Sequence, residues 1–187
     1  MSLAQTQDLL ARLLTDAPLR AQFDADQIAV ARRFGLSEAE AQRFSTIDRR
    51  ALSGFAQSLF GKRALDARKV LPLTFKALGP EFDRRLIAAL DGPPSTGRHR
   101  ADAARLVSSL VAHPDAMRPW LGDLARYELA FVEASRPGGA LVLRLFRWPP
   151  ARLADSVRRA VAPKSAPRRA LGIWVRTPRG RLRHWLY

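Results

Sequence analysis

At 187 residues the chain can bury the core of one ordinary domain, or of a domain carrying a small appendage, and its 47% apolar and 26% charged composition excludes a disordered chain. Cysteine is absent, which excludes disulfides, thiolate nucleophiles and thiolate metal sites. With neither a basic leader nor a long apolar run, a cytoplasmic protein with no membrane partner is expected. The formal charge is +15 and is segregated: from Arg136 onward thirteen bases face the single acid Asp155, a formal +12, so a field that attracts polyanions and acidic peptides belongs to the C-terminal part.

In chain order, Leu3, Leu9, Leu10, Leu13 and Leu14 fall at helical spacing, and Asp16-Ala-Pro18 supplies a stop and a restart. Asp24 is placed to cap a helix carrying Ile28, Val30 and Phe34, which Gly35 would end in a left-handed turn. Ser37 to Glu40 fits a capping box. A long amphipathic helix follows from Thr46 through Ile47, Leu52, Phe55 and Leu59, stopped near Val70 by Pro72. Further helices are predicted over Pro80–Leu90, Asp102–Val111 and Trp120–Ala134, with turns at DGPPSTG and SRPGGA.

Beyond that second turn the period changes. ALVLRLFRW, residues 140–148, reads as a strand covered on one face; Pro149-Pro150 opens a helix with Leu153, Val157 and Val161. The terminal LGIWVRTPRGRLRHWLY reads as two strands joined by a type I turn, Thr177-Pro178-Arg179-Gly180. The expected fold is therefore mainly α: a multi-helix bundle over residues 1–136, with a small basic α/β unit, strand-helix-strand-strand, over 137–187 docked on it.

The terminal strands carry the candidate binding residues. Alternation sets Leu171, Ile173 and Val175 against Gly172, Trp174 and Arg176, and sets Leu182, His184 and Leu186 against Arg181, Arg183, Trp185 and Tyr187. This reading places one apolar face inward and presents an outward face of Arg144, Arg147, Trp174, Arg176, Arg179, Arg181, Arg183 and Trp185. Such a face suits acidic peptides, across the face or along an exposed edge, and also suits nucleic-acid backbone.

On the Trp120–Ala134 helix, Asp123 reaches Arg126 at i,i+3, whereas Glu128 falls on another azimuth and needs a partner elsewhere. Asp123, Arg126, Tyr127 and Glu128 can be a polar contact surface for a partner or charges that tie helices together. Lys62, Arg63, Arg68 and Lys69 form a basic cluster on the long helix, read as a solvated face in preference to a phosphate-binding one. His99, His113 and His184 have no acidic or histidine companion at metal-pair spacing, and nucleophile-elbow and P-loop patterns are missing. No enzyme activity, metal or cofactor of its own is expected.

LPLTFKALGPEF (71–82), GPPSTGRHRADAARLVSSLV (92–111) and WLGDLARYELAFVEA (120–134) resemble, in order and spacing, the N-terminal helical region of the HvfC/BufC-like family. That family carries the description of a DNA-binding domain, and its members are partner proteins of multinuclear non-heme iron oxidases that modify ribosomally made peptides. The resemblance spans about half the chain and keeps Asp123, Ala125, Arg126 and Glu128, with Tyr127 and Leu129 where Leu and Trp are usual. It implies a non-catalytic adaptor that docks an iron-dependent oxidase and presents an acidic precursor peptide. The alternative expectation is DNA or RNA binding through the basic surface, without strong sequence preference.

Overall fold

The computed structural model describes residues 3–90, 99–136, 141–164, 166–177 and 180–187. The described chain is mainly helical, with a small three-stranded antiparallel sheet near the C-terminus. Its residues group into two compact units, Met1–Ala64 with Asp91–Thr96, and Leu65–Leu90 with Gly97–Tyr187. The division falls inside a helix, whereas the charge step falls at residue 136; residues 141–187 share a unit with the helices that precede them. The turns expected at DGPPSTG and through PGGA lie outside the described residues.

The first unit contains α1 (Leu3–Thr15), α2 (Ala17–Ala25), α3 (Gln27–Arg33), α4 (Glu38–Phe44) and the first part of α5 (Arg49–Val70). The Asp16 carboxylate accepts from the Leu19 amide at 2.8 Å, the restart read from the sequence. Asp24 is not the next cap. Helix α2 runs through it to Ala25, and Asp26, three residues before the Ala29 amide, accepts that proton at 2.9 Å. Gly35, at φ +81°, ends α3, and the Glu40 carboxylate accepts from both the amide and the hydroxyl of Ser37. Leu9, Leu13, Phe23 and Phe44 are buried together, the two rings edge to face at 5.7 Å.

The second unit contains the end of α5, then α6 (Pro72–Leu78), α7 (Glu81–Ala89), α8 (His99–Ala112), α9 (Leu121–Ala134), β1 (Leu141–Phe146), α10 (Pro150–Arg158), β2 (Ala170–Arg176) and β3 (Leu182–Leu186). Helix α6 has no counterpart in the sequence prediction, where Pro72 acts only as a stop. Proline at the first helical position also starts a helix, since its missing N–H would have no partner there. Leu106 and Leu110 of α8 and Leu121, Leu124 and Ala125 of α9 are buried, and α9 packs on α8, α6, α10, β1 and β2. Arg118 bridges Glu81 at 2.7 Å and Asp115 at 2.9 Å, and Arg85 reaches the same aspartate at 2.6 Å, so α7 is fastened to the turn before α9. The strand-helix-strand-strand order closes as an antiparallel sheet with β2 in the centre.

Candidate functional site

The charged motif on α9 is turned toward the protein's own backbone. At the start of α6, Pro72 has no amide proton and the Phe75 amide bonds the Leu71 carbonyl, which leaves the Leu73 and Thr74 amides as orphan donors. Glu128 takes both: Oε1 accepts from Leu73 N at 2.6 Å, and Oε2 accepts from Thr74 N at 2.8 Å and from the Thr74 hydroxyl at 2.6 Å. Burial pushes the Glu128 carboxyl above the usual range, and the Thr74 and Leu73 donors offset only part of that rise.

Asp123 performs the equivalent task at the turn between β1 and α10. Its Oδ2 accepts from Arg147 N at 2.7 Å and Trp148 N at 2.9 Å, while Oδ1 accepts from Arg126 Nη1 at 3.2 Å. The Arg126 guanidinium also lies over the Phe146 ring, 5.4 Å from its centroid. Tyr127 is buried against Phe131 and Trp174, and burial raises its phenol above the ordinary value. These four residues therefore fasten α9 to α6, to the β1–α10 turn and to the sheet.

The sheet corrects the face expected for β2. Pairing puts Trp174 beside Val142 and His184, and these residues belong to the face that packs on α9. Trp174 is fully buried, 5.6 Å from Phe131, 6.2 Å from Phe146 and stacked on His184 at 6.3 Å. Gly172 makes this possible: a Cβ there would meet the Trp174 ring and would lie 2.9 Å from Phe146 Cε2. The large indole thus displaces the aliphatic residues from the covered face, because it removes more apolar surface from water than Ile or Val. Its Nε1–H finds no acceptor among the described residues.

Two expected cationic contacts turn inward with it. Arg144 pairs with Glu133 of α9, and Arg176 donates to the Ser135 and Arg136 carbonyls at 3.1 Å each. Arg147, Arg181 and Arg183 are exposed and have no carboxylate partner among the described residues, and Trp185 is exposed beside them. Arg179, and with it the centre of the expected turn, lies outside the described residues. In the basic cluster of α5, Arg68 pairs with Asp83 and lies over Phe75, and Lys69 pairs with Asp66, as a structural and solvated face requires.

What the strand pattern concealed is the outward face. Its rows are Leu141, Val175, Arg183; then Leu143, Ile173, Trp185; then Leu145, Leu171, Tyr187. The leucines at alternate positions of β1 are the available signal, hidden because the expected covered side holds the aliphatic residues of β2. Among the described residues no group of three His, Asp or Glu side chains is arranged to hold a metal, and no helix is long and apolar enough to cross a membrane. The site's chemistry is that of contact: main-chain edges, apolar surface and unpaired guanidinium groups. No protein-family model matches the sequence, and no curated protein matches it significantly.

Proposed function

We propose that this chain is a non-catalytic partner protein that docks a multinuclear iron oxidase and holds a ribosomally made, acidic peptide along the edge of its C-terminal sheet. The observation that carries the peptide reading is the edge strand β3. Among the described residues the sheet order leaves its outer side without a neighbouring strand, and the reciprocal bonds between Leu171 and Tyr187 fix which groups face β2. By alternation the amides and carbonyls of Leu182, His184 and Leu186 point away from the sheet. An extended peptide adds there as a fourth strand through main-chain bonds, with Arg181 and Arg183 selecting acidic side chains. The resemblance of residues 71–134 to oxidase partner proteins supports the identity of the enzyme, and the iron chemistry belongs to that enzyme.

The test is copurification with an oxidase encoded beside this protein. A complex, and faster turnover of the precursor peptide in it, is expected; absence of both removes the proposal. N-methylation of alternate peptide amides should abolish binding if the peptide pairs as a strand.

A second reading, nucleic-acid binding, is favoured by one observation, the exposed Arg147, Arg168, Arg169, Arg181 and Arg183 within a +12 segment. Binding to random duplex DNA that weakens steeply with salt supports it, and no binding at low salt removes it.

A further inference from the structure

We infer that the outward face of the sheet docks an amphipathic, acid-flanked α-helix of a partner protein. Of its nine positions, eight are aliphatic or aromatic and one is Arg183. The flanking side chains are open to solvent, Leu145 71% exposed, Leu141 56%, Leu143 51%, Tyr187 73% and Trp185 42%, and between them Leu171, Ile173 and Val175 of the central strand are half-buried. An antiparallel sheet with one covered face ordinarily presents polar side chains on the other. Here α9 covers one apolar face, and no element among the described residues forms a layer over the second. Contiguous apolar surface of this kind marks an interaction site.

The dimensions and chemistry choose the occupant. Strands about 4.8 Å apart make three strands about 10 Å wide, the diameter of one helix, and three rows about 6.8 Å apart take roughly two and a half helical turns. An extended peptide laid across this face would leave its own amides and carbonyls without partners against leucine side chains, whereas a helix satisfies them internally. A second copy of this chain is disfavoured by charge, because two surfaces of a +12 segment would be pressed together with Arg183 inside the contact. An apolar stripe flanked by Glu or Asp on the side meeting Arg181 and Arg183 is complementary instead. The face is perpendicular to the β3 edge, so this inference stands whether or not a peptide binds that edge.

The probe is a synthetic helical peptide of about 18 residues with leucines at i, i+3, i+4 and i+7 and glutamates on both flanks. Two controls accompany it: the same peptide with lysines for glutamates, and one of the same composition in scrambled order. Calorimetry with the full chain at low salt should show binding of the glutamate peptide, at least about tenfold weaker binding of either control, and a similar loss with Leu143→Glu or Leu145→Glu. Both leucines are exposed, so the two variants should fold, and matching urea midpoints verify it. The inference is overturned by any of three results: no binding, equal binding to wild type and both variants, or a wild-type dimer by light scattering that L143E returns to monomer. An unmethylated acidic strand peptide that fails to bind, or one that binds equally well after N-methylation, while the helical probe still binds, would dismiss the edge proposal and leave this one intact.

Discussion

Glu128 offers the sharpest test of how the second unit is held together. Replacing it with alanine removes the acceptor for the Leu73 amide, the Thr74 amide and the Thr74 hydroxyl, and Thr74 is fully buried. Each orphaned buried donor costs about 1–3 kcal/mol. Removing a carboxylate that is itself disfavoured by burial returns part of this, so a net loss of about 3 kcal/mol is expected for Glu128→Ala, and about 2 kcal/mol for Glu128→Gln, whose amide group confronts a donor. All four tryptophans lie in the second unit, so urea denaturation followed by tryptophan fluorescence reads the relevant transition. The pH dependence supplies an independent sign. Burial raises the folded-state pKa of Glu128 above its unfolded value, so its contribution to stability is complete below the unfolded value and is lost as pH rises through the folded one. Above the ordinary carboxylate range the advantage of wild type over E128Q should therefore narrow as pH rises through the raised folded-state value. A loss under about 1 kcal/mol in E128A, or an advantage that widens with pH, would refute the view that this buried carboxylate closes the start of α6.

Three further outcomes follow from the geometry. Gly172→Ala should destabilise the protein by about 1–3 kcal/mol and lower the thermal midpoint, since the new Cβ collides with the Trp174 ring and with Phe146. Asp123→Ala removes the acceptor of two turn amides, and hydrogen exchange at Arg147 and Trp148 should accelerate while exchange in α8 changes little. Arg183→Glu should weaken an acidic peptide at the β3 edge by about tenfold at low salt and by less at high salt; an unchanged affinity, measured by fluorescence anisotropy, would detach the arginine from that site.

Elements with strong local signals were legible in the sequence. Caps at Asp16 and Ser37–Glu40, the turn at Gly35 and the strand-helix-strand-strand order all depend on residues a few positions apart. Helix α6 escaped because one proline both ends α5 and begins α6. The candidate site was half legible: the alternation of β3 was assigned to the proper sides and that of β2 to the opposite ones. A period of two states which residues share a side and not which side is covered. That choice was made by Gly172 together with the bulk of Trp174, Phe131 and Phe146, contacts that span up to 43 positions and leave no local trace. Register alone could have corrected it, because Trp174 lies opposite His184 and the two must share a side.

Two of the three acidic residues of α9, Asp123 and Glu128, grip main-chain amides, and this shapes how the sequence can drift. At positions 73, 147 and 148 every residue except proline supplies the same N–H, so the donor side is free to vary while the acceptor is not. Coevolution methods look for paired substitutions, and a bond between a carboxylate and a backbone generates none. In an alignment, only the Arg126 and Thr74 side-chain contacts could leave a correlated trace, and the main-chain share of what Asp123 and Glu128 do would show as retained acids without one, a signature easily mistaken for catalysis.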